Sequence, residues 1–197
     1  MVLFFGILMG AMDIAILGPA MPAIRETFGL DDRLGSWIFS VWVLANLVSV
    51  PVMTKLADRY GRKTIYLLDI ALFGIGSLIV STAPVFGVLL VGRVLQGMAA
   101  AGIFPVAAAV VGAVIPPEKR GQAFGLLGSV FGIAFIVGPI VAGLMLNLGW
   151  RWLYLANVFV AALIFVLGWK ILPKTAIPGK SRLDLIGLFS LGGALLS

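Results

Sequence analysis

Long apolar runs separated by short polar segments fill most of this 197-residue chain. Six of the runs are about 20 residues long, which is the length at which an α-helix crosses the hydrocarbon core of a bilayer. They lack the strict alternation of apolar and polar residues that is typical of a membrane-spanning β-strand. The pattern therefore predicts an all-α membrane protein. The predicted helices cover residues 2–23, 36–54, 64–82, 85–114, 123–146 and 153–172.

A further apolar run of about 15 residues follows Arg182 and reaches the last residue, Ser197, short of the roughly 20 residues that a span needs. We expect it to be the truncated start of a seventh helix at 183–197. A polar linker at 173–182 would join it to an N-terminal bundle of six transmembrane helices at 1–172. The sequence would then be the front portion of a longer protein.

Polar segments at 25–33, 55–63 and 116–122 separate the apolar runs, and their Lys and Arg residues are unequally divided between the two sides of the membrane. Short loops rich in Lys and Arg stay on the cytosolic side of a membrane, and alternation of the spans puts ten of the 14 Lys and Arg residues on one side. We therefore expect a multi-pass protein of the cell membrane with a cytosolic N-terminus, and Trp37 and Trp42 near the outer end of the second span. The ten are Lys55, Arg59, Arg62, Lys63, Lys119, Arg120, Lys170, Lys174, Lys180 and Arg182.

Composition narrows the possible functions. Hydrophobic residues make up 61% of the chain and charged residues 11%, so the net charge of +6 indicates topology and not a nucleic-acid partner. The sequence has no Cys and no His, which excludes disulfides and thiolate metal sites and leaves carboxylates to carry any proton relay. Without a nucleophile and His partner or a G-x-x-x-x-G-K-[ST] loop, we expect neither an enzyme nor a bound cofactor.

Two ionisable residues lie deep inside predicted spans. Asp13 is near the middle of the first span, where an ionisable group costs roughly 2.5 to 3.5 kcal/mol, so it either faces a watery cavity and exchanges protons or makes a structural hydrogen bond. Arg93 lies about 12 Å into the fourth span, too deep to reach either surface, and needs an internal partner. Gln96 and Gly97 extend this polar patch, which favours coupling or substrate contact. Asp69 is expected to snorkel or to pair with a loop arginine.

The 55–63 segment, KLADRYGRK, concentrates charge between the second and third spans. Basic residues at a cytosolic edge are common, so their number alone indicates little. Their order is more specific, because Asp58 falls where a helix ends and Gly61 permits a tight turn. Arg59 and Arg62 could then pair with carboxylates or helix ends that change position as a bundle rocks.

Glycines line one side of the fifth predicted span. At about 100° per residue, five of them fall within about 60° of one another, and Pro139 joins that face. Such a surface lets another helix approach closely, while Gly138 and Pro139 weaken the helical hydrogen bonds and allow a bend. Glycine-rich spans also serve as plain packing surfaces, so a mechanistic role stays open. The five are Gly121, Gly125, Gly128, Gly132 and Gly143.

Taken together, these stretches resemble the major facilitator superfamily, and most closely its drug:proton antiporters of twelve or fourteen helices. Arg93, Gln96 and Gly97 match the fourth-helix motif R-x-x-Q-G, and Asp13 and Pro22 fit the first-helix motif of the drug-efflux groups. The matches to the G-x-L-A-D-R-x-G-R-K loop are Asp58, Arg59, Gly61, Arg62 and Lys63. The matches to the fifth-helix antiporter motif are Gly128, Gly132, Gly138, Pro139 and Gly143. Asn157 is similar to a residue at the entry of the sixth helix.

The resemblance implies the N-terminal half of a fold with two six-helix halves, which bind a small-molecule substrate between them within the lipid bilayer. It implies proton-coupled export of amphipathic or cationic molecules, with Asp13, Arg93 and Gln96 in proton coupling and substrate binding. The 58–63 loop would gate the cytosolic side, and the fifth helix would move against the C-terminal half. The alternatives are a metabolite symporter or facilitator, and a half that is truncated or pairs with a copy of itself without transporting.

Overall fold

The computed structural model of the protein describes residues 2–172, which contain six α-helices and no strand. All six are long and apolar enough to cross a membrane, so the predicted all-α bundle is confirmed. The helices are α1 (Val2–Phe28), α2 (Asp32–Tyr60), α3 (Arg62–Thr82), α4 (Phe86–Val114), α5 (Pro117–Met145) and α6 (Arg151–Ile171), with a short 3₁₀ turn over Leu146–Leu148. The predicted linker at 173–182 and seventh helix at 183–197 lie outside the described residues.

The helices extend beyond the apolar runs into the segments that the sequence indicated as polar links. Only residues 29–31 separate α1 from α2, because the Asp31 carboxylate accepts a hydrogen bond from the Leu34 N–H at 2.7 Å and begins the second helix at once. Arg25 also forms an ion pair with Asp32 across this turn. Charged residues at the helix ends are thus helical themselves, since caps and side chains satisfy the terminal backbone groups.

The 55–63 segment is likewise two helix ends joined by one residue and not an extended loop. Gly61 has a φ of +92°, which favours glycine. Its N–H donates to the Ala57 carbonyl at 3.0 Å to close α2, and its own carbonyl accepts from Ile65 at 3.2 Å to begin α3. The tight turn predicted at Gly61 is therefore present, with helix directly on either side.

The fourth helix packs between α2 and α3, and glycines bring the backbones close together. A Cβ added at Gly92 would lie 2.9 Å from the carbonyl oxygen of Gly76 on α3. A Cβ at Gly97 would overlap the carbonyl oxygen of Trp42 on α2. Small residues at helix crossings are the usual means of close packing in a membrane, where apolar burial alone gives little preference for helix over lipid.

The fifth helix packs against α1 on one side and is bare on the other. Gly138 is buried, and a Cβ there would lie 2.5 Å from the Cβ of Ala15. On the opposite side, Gly128, Gly132 and Gly143 are exposed, with nothing within 4 Å of the position that a Cβ would take. The predicted glycine face is thus open along α5 in the described part of the chain.

Candidate functional site

Asp13 and Arg93 form an ion pair in the interior of the bundle. Arg93 Nη1 on α4 lies 2.6 Å from Oδ2 of Asp13 on α1, and both side chains are fully buried. Each of these two charges would be costly alone in an apolar interior, and each supplies the compensation that the other requires. The predicted internal partner of Arg93 is therefore Asp13.

The second oxygen of the same carboxylate is also occupied. Asp13 Oδ1 accepts hydrogen bonds from Gln96 Nε2 at 3.1 Å and from Asn157 Nδ2 on α6 at 3.2 Å. Three donors from two helices thus replace water around the carboxylate. In this structure the Asp13 side chain has no exposed surface and makes its hydrogen bonds inside the protein, which is the second of the two alternatives that the sequence left open.

Gln96 connects this ion pair to α3. Its Oε1 accepts from Arg93 Nη1 at 2.8 Å, while its Nε2 is also 2.8 Å from Ser77 Oγ. Arg93 Nε donates to the Ile38 carbonyl of α2 at 3.2 Å. We call Asp13, Ser77, Arg93, Gln96 and Asn157 the buried polar cluster. With Ile38, it joins five of the six described helices.

Two of the cluster residues were missed or only weakly indicated by the sequence. Ser77 carries no sequence signal, because serine is compatible with a membrane helix and often bonds to its own backbone, as it does here to the Phe73 carbonyl at 2.8 Å. Asn157 stood out only through the family resemblance. The sequence could have indicated Asn157 as a polar amide inside an apolar run. That it donates to Asp13 on α1 follows only from tertiary packing.

Aromatic rings flank the guanidinium of Arg93. Its Cζ lies 5.8 Å from the ring centroid of Trp42 and 6.0 Å from that of Tyr154, which is within the range of cation–π attraction. The Trp42 side chain is thus buried against Arg93 and not exposed at the membrane interface that indole rings generally prefer. Arg93 Nη2, Trp42 Nε1 and the Tyr154 hydroxyl have no hydrogen-bond partner within residues 2–172.

Trp42 also lines a cleft between α1, α2, α4 and α5. The cleft has a volume of about 360 Å³, and small-molecule sites typically fall between roughly 300 and 1,000 Å³. Phe104 and Phe131 form part of its wall, with ring centroids 5.9 Å apart. Apart from Trp42, Asn46 is the polar side chain in the described lining of the cleft. Its Nδ2 donates a hydrogen bond to the Gly97 carbonyl at 3.2 Å.

The basic residues at the start of α3 tie helix ends together. Arg62 Nη1 donates to the Ala109 carbonyl of α4 at 2.5 Å. Lys63 Nζ donates to the carbonyls of Trp169 and Leu172, at 2.7 and 2.5 Å, where α6 ends. The position of Lys63 is favourable because a cation at a helix C-terminus faces unpaired carbonyl groups.

The 58–63 segment lies at a different level of the bundle from the cluster. Ser77 is 15 residues beyond Arg62 on the same helix, which corresponds to about 22 Å along its axis. Arg59 is exposed and lies over the ring of Tyr60 at 5.3 Å, and Asp58 is half-buried in the last turn of α2. The structure therefore does not bring the predicted gating residues into contact with Asp13, Arg93 or their partners.

Asp69 differs from the expectation that it snorkels or pairs with a loop arginine. It is fully buried, and neither carboxylate oxygen has a hydrogen-bond partner in the described part of the chain. Arg62, two turns earlier on α3, instead donates to α4. The Asp69 carboxylate lies against Gly102, where an added Cβ would overlap Oδ2. Gly102 thus provides the space that this side chain occupies.

Comparison with known proteins matches most of the chain to one family of transporters. Residues 3–194 match the family model described as Major Facilitator Superfamily. The chain is 38% identical over 194 residues to the uncharacterized MFS-type transporter YfiU of Bacillus subtilis, covering 98% of this chain and 38% of that protein. It is 34% identical over 162 residues to multidrug resistance protein 3 of Bacillus subtilis, covering 82% of this chain and 31% of that protein.

Solved structures share the fold at low sequence identity. The human organic anion transporter MFSD10 has a TM-score of 0.78 against this chain at 20% identity, covering 96% of this chain and 51% of that one. The likeness shows that the arrangement of the six helices is that of a known transporter fold. The chain spans only 31% to 38% of the length of the two Bacillus subtilis relatives.

Proposed function

This chain belongs to the major facilitator superfamily of multi-pass membrane transporters, and from that membership we propose that it is the N-terminal half of a proton-coupled exporter of small amphipathic or cationic molecules. Some relatives, such as multidrug resistance protein 3, carry names that fit drug export. The family and fold are those of transporters and not of enzymes. The partners that we propose are protons, the substrate, the surrounding lipid and a second, C-terminal half.

The observation that carries this proposal is the buried pair of Asp13 and Arg93. The ionised carboxylate accepts from Arg93, Gln96 and Asn157. A proton on Oδ2 of Asp13 cancels the charge of the carboxylate and turns the oxygen that faces Arg93 into a donor, so that the charge-assisted bond from Arg93 is weakened. Arg93 would then be a buried cation without its counter-charge, which is strongly unfavourable. Protonation therefore favours a different arrangement of α1 and α4.

That change can spread through the bundle because the cluster and the Ile38 carbonyl together connect five helices. Gln96 connects α4 to α3 through Ser77, and Asn157 connects α6 to Asp13. At the end of the bundle that we propose to be cytosolic, Arg62 and Lys63 fasten α3 to α4 and α6. The two halves would then rock against each other in alternating access, with the bare glycine face of α5 moving against the C-terminal half.

The experiment that tests the function is proton-driven efflux from membrane vesicles that contain the full-length transporter. We expect an imposed proton gradient to drive dye export by the natural protein and Asp13→Asn to abolish that dependence on the gradient. Asp32→Asn makes the same chemical change at an exposed site and is the matched control. Unaltered gradient dependence in Asp13→Asn contradicts the coupling role, and net uptake with the proton gradient indicates a symporter.

A further inference from the structure

The cleft beside the buried polar cluster has an apolar and aromatic wall with little polar surface. Trp42 comes from α2, Phe104 from α4 and Phe131 from α5, so three helices contribute aromatic rings. Phe104 and Phe131 are partly exposed, at 40% and 37%. Flat aromatic ligands pack well against such rings in offset or edge-to-face geometry. The wall therefore fits a small molecule with an aromatic ring.

Asn46 gives this wall a hydrogen-bond acceptor. A carbonyl can accept only from the amide nitrogen, so the bond from Asn46 Nδ2 to the Gly97 carbonyl fixes which end of the amide faces α4. The Oδ1 atom accepts no hydrogen bond from the described residues. It is also not among the buried side-chain atoms that lack a partner, so it is accessible from outside the protein. Because Asn46 lines the cleft, this oxygen remains available to a ligand that donates.

Charge disfavours a cationic ligand at this position. No charged residue in the described range lines the cleft. Both oxygens of Asp13 are already engaged by Arg93, Gln96 and Asn157. Behind the wall, the positive guanidinium of Arg93 lies 5.8 Å from the ring centroid of Trp42. A cation would enter an apolar site without a counter-charge from this half of the protein, which is costly.

We propose that Asn46 determines the substrate class of the cleft and that the ligand is an uncharged aromatic molecule that donates one hydrogen bond to Asn46 Oδ1. A hydroxyl or an amide N–H meets this requirement, and a quaternary ammonium group does not. The inference rests on the proposed transport function, and it narrows the substrate from amphipathic or cationic molecules to uncharged hydrogen-bond donors.

The test uses three probes that share a naphthalene ring: 1-naphthol, 1-methoxynaphthalene and trimethyl(1-naphthyl)ammonium. Binding to the purified full-length transporter in lipid nanodiscs is measured at neutral pH by fluorescence titration. We expect 1-naphthol to bind most tightly. Asn46→Leu should weaken naphthol about three- to tenfold, as expected for one hydrogen bond, and leave the methyl ether within about twofold. Asn147→Leu, at an exposed position, makes the same substitution outside the cleft.

Asn46→Ala also removes the Oδ1 atom but introduces a smaller side chain than Leu. It should likewise weaken the binding of naphthol and leave the binding of the methyl ether within about twofold. If neither variant reduces the preference for naphthol over its methyl ether, or if the ammonium probe binds most tightly to the natural protein, the inference is wrong. The titration needs no proton gradient. Binding that depends on Asn46 without gradient-driven efflux would therefore overturn the proposed transport function while leaving the ligand assignment in place.

Discussion

Asn157 of the last described helix donates a hydrogen bond to Oδ1 of Asp13 on the first helix at 3.2 Å. The two residues are 144 positions apart, and their contact closes the bundle around the ion pair of Asp13 and Arg93. A single carboxylate thereby holds α1 to both α4 and α6. Any change in its protonation acts on all three helices together.

Asn157→Leu should destabilise the bundle by about 1 to 3 kcal/mol, because it leaves one acceptor site of a buried carboxylate without its donor. Thermal unfolding of the detergent-purified protein measures the loss. Asn147→Leu makes the same substitution in the exposed 3₁₀ turn and should change the melting temperature little. Equal melting temperatures for the two variants would show that the Asn157 hydrogen bond contributes nothing.

Arg93→Gln should be strongly destabilising, by about 3 to 5 kcal/mol, because it leaves Asp13 buried without its counter-charge. The double variant Asp13→Asn with Arg93→Gln removes both charges and should recover most of that loss. A double-mutant cycle on unfolding free energies measures the coupling. Additive effects of the two substitutions would contradict the pairing.

Gly102→Ala should destabilise the protein by about 1 to 3 kcal/mol, because the added methyl group meets the Asp69 carboxylate. Gly112→Ala on the same helix is the matched control, since nothing lies within 4 Å of its added Cβ. Asp69→Ala should relieve the clash and lessen the effect of Gly102→Ala in the double variant. Melting curves of the four variants provide the comparison, and a Gly102→Ala protein as stable as Gly112→Ala would contradict the packing.

Gly138→Ala and Gly128→Ala should separate packing within this half from packing against a second half. The first places a methyl group 2.5 Å from the Ala15 Cβ and should lower the melting temperature, whereas the second adds a methyl group in open space. Gly128→Ala should therefore leave folding intact but reduce efflux by the full-length transporter, where we propose that another helix lies against this face. Normal efflux by a Gly128→Ala transporter would count against that contact.

The apolar runs predicted the number, order and class of the described helices because the bilayer imposes a fixed length on each span. They did not predict the helix ends at Asp32 or Tyr60, since capping bonds extend the helices beyond the apolar region. The cost of charge in a membrane likewise indicated that Arg93 needs a partner. That the partner is Asp13, 80 residues away, follows only from how α1 packs on α4.

Other parts of the site had no distinct pattern in the sequence. Asn46 and Ser77 are ordinary polar residues inside membrane spans, and their importance depends on which side chains and cavities they meet. Indole rings generally prefer the membrane interface, but Trp42 occupies a buried position against the charge of Arg93. Asp69 is expected from the sequence to snorkel or to pair with a loop arginine, but it is buried without a hydrogen-bond partner in the described part of the chain, and Arg62 contacts the Ala109 carbonyl.

The most direct test of the account is whether Asp13 carries the proton that is exchanged for substrate. Purified full-length transporter in weakly buffered detergent solution with a pH-sensitive dye should release protons when 1-naphthol is added. Asp32→Asn should release as many as the natural protein, and Asp13→Asn should release none. Proton release from Asp13→Asn equal to that from the natural protein would contradict the central claim.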